Sequence, residues 1–134
     1  MGFALPRLQS KYNAFTASLI LGVLWAVWHA PLWFISDSPQ STMPFWLFFI
    51  ALLAVRFIMG WAYNNTNGSL IIAVLFHLFF NFANEFAVGT LGVPINSFLY
   101  LAGAALVIYA VLVIIFAGPI NLSRKNERII HKQV

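Results

Sequence analysis

Hydrophobic residues in this chain fall into four long runs that are separated by short polar segments. The runs cover residues 15–35, 44–63, 68–88 and 97–117. A helix needs roughly 20 residues to cross a bilayer, because each residue adds about 1.5 Å along the axis. Each run has that length, so the pattern predicts four transmembrane helices. Backbone polar groups in lipid need partners within the protein, which makes an all-α membrane helical bundle the expected fold.

The segments between the runs have the composition of turns. Serine and two prolines occur in SDSPQSTMP (36–44), NNTNGS (64–69) is a tight polar turn, and GTLGVPINS (89–97) carries glycines and a proline. None of these segments is long enough to form a second core. We therefore predict one membrane domain over residues 1–120, followed by a short basic tail on the surface at 121–134.

The composition agrees with a protein that spans the lipid bilayer. Of 134 residues, 62% are hydrophobic and only 7% are charged, too few to cover a soluble domain. The chain has no cysteine, which excludes disulfides and thiolate metal sites. The net charge of +4 comes from basic residues near the chain ends, so it indicates membrane orientation and no nucleic-acid partner is expected.

The distribution of lysine and arginine predicts which side of the membrane each end occupies. Basic residues precede the first run and follow the fourth, whereas segments 36–43 and 89–96 contain none. Because cytoplasmic loops retain positive charge, we expect both termini to be cytoplasmic. We expect the protein to lie in the cell membrane of a bacterium or archaeon. Arg56 lies within the second run and is expected to reach the cytoplasmic surface with its long side chain.

Two histidines lie inside the hydrophobic runs, His29 in the first and His77 in the third. On a helical wheel, Ala73, His77, Asn81 and Asn84 occupy an arc of about 80°, and Ser18, Gly22 and Ala26 lie within about 60° of His29. Small residues let membrane helices approach closely. We therefore predict that both histidines face protein and approach each other.

Polar residues inside a span have several explanations. An ionisable group there costs several kcal/mol unless it is paired or functional. His77 and Asn81 could instead hydrogen-bond across helices as structural contacts. Asn84 and Glu85 lie near the end of their run, where contact with interfacial water is the simplest expectation. The tryptophans, Trp25 among them, are expected to pack in the core or at the membrane interface.

Two short motifs resemble those of a known family. LWAVWHAPLW places Trp25 four residues before His29, and HLFFN places Asn81 four residues after His77. Both resemble motifs of the CPBP family of intramembrane proteases, which includes the type II CAAX prenyl endopeptidases, the Abi proteins and bacteriocin-processing proteins. GFALPRLQ, near the N-terminus, is similar to the segment that follows the family's first motif, Glu-Glu-x-x-x-Arg. The resemblance covers about residues 2 to 90.

The resemblance implies peptide-bond hydrolysis within the membrane, by a water that a glutamate of the first motif activates with help from a histidine. It identifies His29, His77 and Asn81 as the candidate catalytic residues. The implied partners are the lipid bilayer and a peptide or prenylated-protein substrate. No cofactor is expected, because two histidines and an asparagine without a nearby carboxylate make a poor zinc set; a divalent metal at His29 and His77 stays an alternative.

The chain departs from the family pattern at the first motif. Glu-Glu-x-x-x-Arg is absent, and Met1 stands where its arginine is expected. The acidic residues are Asp37, Glu85 and Glu127, of which Glu85 is not dismissed as a base. We expect the chain to be the C-terminal part of a longer enzyme and to be inactive as given.

Two other classes stay open. One is a non-catalytic membrane protein of the same fold, such as a bacteriocin-immunity protein. The other is a helical bundle whose histidines ligate haem or metal. Self-association also stays open, since a four-helix bundle with unpaired polar stripes can cover them by pairing with another copy.

Overall fold

The computed structural model describes residues 2–36, 38–125, 127 and 129–130. Its five α-helices are α1 (Ala4–Gln9), α2 (Ala14–His29), α3 (Phe45–Asn65), α4 (Leu70–Glu85) and α5 (Ile95–Ala117). A 3-10 turn, Ala30–Phe34, extends α2, a second 3-10 turn covers Pro39–Thr42, and a π turn, Phe86–Thr90, extends α4. The described residues contain no β-strand.

The four predicted membrane spans are confirmed. Four helical segments are long and apolar enough to cross a bilayer: Ala14–Phe34, Phe45–Asn65, Leu70–Thr90 and Ile95–Ala117. Their bounds differ from the predicted ones by at most two residues. The short helix α1 was not predicted from the sequence. The chain is therefore an integral, multi-pass membrane protein of the all-α class.

Helix α3 is the centre of the bundle, and α2, α4 and α5 pack around it. Most of its length is buried, including Ala54, Val55 and Ile58. On α4, by contrast, only Ala73 is buried, and large apolar side chains such as Phe79 and Phe82 are exposed. Exposed apolar side chains on a membrane helix face lipid or another membrane segment.

The small residues of α2 face protein, as the helical wheel predicts. Ser18, Gly22 and Ala26 are all buried. The helix that they meet is α3, because a Cβ added at Gly60 would lie only 2.6 Å from the Ser18 Oγ atom. A Cβ added at Gly22 would lie 2.7 Å from a Leu53 methyl group. The stripe therefore brings α2 and α3 into close contact.

A hydrogen-bond network joins three distant segments at one end of the bundle. The Asn64 side chain donates to the Gln9 Oε1 atom at 2.7 Å and to the Asn121 carbonyl at 2.8 Å. Gln9 in turn donates to the Ile129 carbonyl at 2.9 Å. The N-terminal segment, the 64–69 turn and residues 121–129 thus meet at one end. Leu122 and Ser123 are buried there, whereas the charged residues Arg124, Lys125 and Glu127 that follow them are exposed.

The expectation for Arg56 is wrong. The side chain is only 4% exposed and does not reach the membrane surface. Its Cβ and Cγ atoms lie 3.4 Å from the position that a Cβ on Gly22 would occupy. Arg56 is on the face of α3 that packs against α2, and the missing side chain of Gly22 leaves room for its methylene groups. The identity of the neighbouring helix, which periodicity does not give, decides the burial of this residue.

Candidate functional site

The three candidate catalytic residues line one cavity. It has a volume of about 270 Å³ and is formed by α2, α3, α4, the beginning of α5 and the 39–43 segment. His29 enters it from α2, and His77 and Asn81 enter it from α4. The remaining walls are largely apolar, and α3 contributes Phe48, Leu52 and Val55 to them. A few polar groups in an apolar concave surface are typical of a small-molecule or peptide site.

His29 is fixed by a hydrogen bond to its own helix. It is the last residue of α2, and its Nδ1 atom lies 2.7 Å from the Trp25 carbonyl oxygen. A carbonyl oxygen only accepts hydrogen bonds, so Nδ1 must carry the proton. In the neutral imidazole, Nε2 then holds the unprotonated lone pair. This nitrogen is the one that can accept a hydrogen bond or a proton.

Aromatic rings surround the same imidazole. The ring centroids of Trp28, Phe48 and Trp25 lie 5.0, 5.4 and 5.7 Å from that of His29. The Trp28 contact is edge-to-face, with an interplanar angle of 90°. Such packing by uncharged rings restricts the rotation of the imidazole.

His77 contacts the indole of Trp25, which also packs against His29. The ring centroids of Trp25 and His77 are 5.5 Å apart. The two histidines therefore both contact Trp25, and the indole brings their rings to one site although the prediction had them approach directly. His29 and His77 are half-buried and Asn81 is exposed, so the polar groups are accessible from outside the bundle.

Two further polar residues line the cavity and were not predicted as part of the site. Asn84 belongs to it, and its buried Oδ1 atom has no hydrogen-bond partner among the described residues. Its place on the same helical arc as His77 was the signal that could have found it. Gln40 enters from the loop between α2 and α3, where no periodic pattern indicates which way a side chain points.

Neither carboxylate of the described residues lines this cavity. Glu85 is exposed, and its Oε1 atom lies 2.7 Å from the position of a Cβ added at Gly89, so the side chain follows its own helix. Glu127 is exposed near the far end of the chain, and Asp37 lies outside the described residues. Within the described part of the chain, no group of three histidine or acidic residues could hold a metal ion. The cavity offers two imidazoles and three carboxamides.

The comparison with known proteins agrees with the motifs in this cavity. Residues 1–83 match the family described as Type II CAAX prenyl endopeptidase Rce1-like, and this range contains His29, His77 and Asn81. The chain belongs to this family. The resemblance inferred from the motifs is thereby confirmed.

A curated relative supports the same assignment. The CAAX prenyl protease 2 of Methanococcus maripaludis is 33% identical over an alignment of 116 positions, and the match covers 81% of this chain. The chain spans 43% of the length of that relative. No solved structure matches the chain.

Proposed function

We propose that this chain forms the histidine-bearing part of an intramembrane endopeptidase that hydrolyses prenylated or membrane-associated peptides. The observation that carries the proposal is the shared cavity of His29, His77 and Asn81, with Trp25 in contact with both imidazoles. Membership of the Rce1-like family and the similarity to a CAAX prenyl protease support the reaction class.

His29, His77 and Asn81 each have a role in this reaction. The His29 Nε2 atom accepts a hydrogen bond from the attacking water, since its Nδ1 proton is already donated to Trp25. A ring N–H of His77 and the Asn81 amide donate to the carbonyl oxygen of the substrate. These donors stabilise the negative charge that develops on that oxygen as the water adds. The surrounding apolar walls strengthen both interactions by keeping the local dielectric low.

The attacking water must also lose a proton to a base. The family resemblance assigns this role to a glutamate of the first motif, and neither Glu85 nor Glu127 lines the cavity. The test therefore uses two forms of the protein. One is the chain as given, and the other, called the extended form, carries a segment ending in Glu-Glu-x-x-x-Arg before Gly2. The extended form is expected to cleave a prenylated reporter peptide, and the chain as given is expected not to do so.

Variants of α4 connect this activity to the site. In the extended form, His77→Ala and Asn81→Ala are each expected to lower the cleavage rate by about 100-fold or more, as losses of a proton-transfer or oxyanion group do. Phe79→Ala is the matched control, because Phe79 lies on the same helix and is 66% exposed on its apolar surface. Cleavage at the original rate by His77→Ala, with the protein still folded, would contradict the proposal.

Peptide binding without cleavage is the second candidate function. It is favoured by the lack of a carboxylate among the described residues that line the cavity. If both forms bind the reporter peptide and neither cleaves it, this second function replaces the first.

We further propose that no haem or metal takes part and that the cytoplasm faces the Gln9–Asn64 end of the bundle. Two imidazoles and carboxamides without a carboxylate are a poor zinc set. Metal analysis of the purified protein tests the absence of a metal. One zinc ion retained per protein molecule, and lost in His29→Asn, would overturn it.

The proposed orientation is supported by basic residues that all lie in the segments at the Gln9–Asn64 end: Arg7, Lys11, Arg124 and Lys125.

A further inference from the structure

A second cavity is lined by a buried cation, Arg56, whose terminal nitrogens have no hydrogen-bond partner in the part of the chain that the structure describes. It has a volume of about 240 Å³ and is lined by Leu21, Trp25, Arg56 and Met59. Arg56 is 4% exposed, and both terminal nitrogens of its guanidinium group lack a hydrogen-bond partner among the described residues. An unpaired charge within a membrane protein is costly, and such residues face the protein interior and mark binding sites or ion pathways.

The position of Arg56 restricts which anion can reach it. Arg56 is nine residues from the end of α3 at Asn65, which places it about 14 Å from that end of the helix. Its stem is packed against Gly22 and the whole side chain is 4% exposed, so the guanidinium lies inside the bundle. Lipid phosphates lie in the headgroup region, outside the hydrocarbon core. A carboxylate that a peptide carries into the membrane fits this depth better.

We propose that Arg56 binds a carboxylate group of the peptide that occupies the histidine cavity. The planar guanidinium fork binds carboxylates through two parallel hydrogen bonds. Trp25 lines both cavities, so a carboxylate at Arg56 lies within a few residues of a peptide bond held by His29 and His77. The inference rests on the proposed function, and it adds a selection for substrates that carry an acidic group near the cleaved bond.

The carboxylate can come from the peptide C-terminus or from an acidic side chain. Three fluorescent peptides of one sequence distinguish the sources: a free acid, a C-terminal amide, and an amide whose last residue is glutamate. Their affinities are measured by fluorescence anisotropy on the purified chain in lipid nanodiscs. We expect the free acid to bind about 10- to 100-fold more tightly than the plain amide, as hydrogen bonds to charged groups allow. If the glutamate peptide binds as tightly as the free acid, a side-chain carboxylate is sufficient. If it binds as weakly as the plain amide, Arg56 requires the terminal carboxylate.

Variants of Arg56 assign the preference to this residue. In Arg56→Gln, all three peptides are expected to bind with equal affinity. Arg7→Gln is the matched control, because Arg7 is exposed in α1 and its removal changes the net charge by the same amount. Arg56→Met is a control for misfolding. It keeps an apolar side chain and removes the unpaired charge, so its thermal unfolding temperature is expected to equal or exceed that of the original chain. Equal binding of all three peptides to the original chain, or a preference that survives in Arg56→Gln and Arg56→Met, would overturn the inference.

The binding assay separates this inference from the proposed function. His77→Ala is expected to keep the preference for the carboxylate peptides, because the guanidinium is unchanged, and to lose cleavage in the extended form. A carboxylate preference without any cleavage by the extended form would leave Arg56 as a binding residue and would reject the protease. Cleavage without a carboxylate preference would support the protease and reject Arg56 as a carboxylate-binding residue.

Discussion

At the scale of single residues, one hydrogen bond determines the chemistry that His29 can perform. The bond from Nδ1 to the Trp25 carbonyl assigns the tautomer, and the neighbouring aromatic rings hold the imidazole in place. The sequence predicted that His29, His77 and Asn81 face a common site, because helical periodicity alone gives the face of a helix. It did not predict the burial of Arg56 or the place of Trp25 between the imidazoles. The burial of Arg56 depends on how α2 docks on α3, and the contact of Trp25 with His77 depends on where α4 lies beside α2. No pattern within one helix encodes either arrangement.

The two nitrogens of His29 can be tested separately. Asparagine places an amide donor near the position of Nδ1 and offers nothing at the position of Nε2. We therefore expect His29→Asn to retain the hydrogen bond to Trp25 and a nearly unchanged thermal unfolding temperature. In the extended form it should lower the cleavage rate by about 100-fold. Peptide cleavage and unfolding are measured on the same preparation, and full cleavage by His29→Asn would show that Nε2 has no part in the reaction.

At the scale of elements, the contact between α2 and α3 holds the site together. Ser18 and Gly60 meet at a tight contact between the two helices, on the same face of α2 that directs His29 into the cavity. The sequence indicated that the small residues of α2 face another helix, and the structure confirms their burial. The choice of α3 as partner could not be predicted, because small residues also occur on other helices of this chain.

A side chain at Gly60 is expected to separate these helices. In Gly60→Ala the new Cβ lies 2.6 Å from the Ser18 Oγ atom, and Ser18 is 1% exposed, so its hydroxyl has little room to move. We expect a loss of about 1–3 kcal/mol in the free energy of unfolding in detergent, as for other overpacked sites. Gly103→Ala is the matched control, because its Cβ would meet neighbours at an ordinary 3.9 Å.

A compensating change identifies the cause. Ser18→Gly removes the obstructing hydroxyl, so the double variant with Gly60→Ala should recover most of the lost stability. Equal destabilisation by Gly60→Ala and Gly103→Ala would mean that the α2–α3 contact is not tight at this point.

At the scale of the whole molecule, one polar network joins the ends of the chain to the bundle. Gln9 is fully buried and Asn64 is 5% exposed, and each satisfies the hydrogen bonds of the other. The hydrophobic runs predicted the number of spans, and the distribution of lysine and arginine predicted that both ends lie on the cytoplasmic side. They did not predict this network, because it joins residues more than 50 positions apart.

Removal of the Asn64 carboxamide tests the contribution of the network to stability. Asn64→Leu removes the group that donates to the buried Gln9 Oε1 atom, so we expect a loss of about 1–3 kcal/mol in the free energy of unfolding. Asn96→Leu is the matched control, because Asn96 is exposed at the beginning of α5. Similar effects of both substitutions on chemical unfolding in detergent would show that the network adds nothing specific.

The membrane orientation is tested by labelling. The chain has no cysteine, so single cysteines can be introduced without background. Ser10 and Lys125 are exposed near the Gln9–Asn64 end, and Ser41 is exposed in the loop between α2 and α3. An impermeant maleimide applied to intact cells is expected to label Ser41→Cys and to leave Ser10→Cys and Lys125→Cys unlabelled. The reverse pattern would invert the proposed orientation.

The most direct test of the shared site is a double-mutant cycle on His29 and His77. The cleavage rates of the extended form are compared with those of His29→Asn, His77→Ala and the double variant. Groups that act together in one reaction step give strongly non-additive losses, so we expect the double variant to be no slower than the slower single variant. Losses that multiply, or a single variant with the original rate, would show that the two histidines do not act as one site.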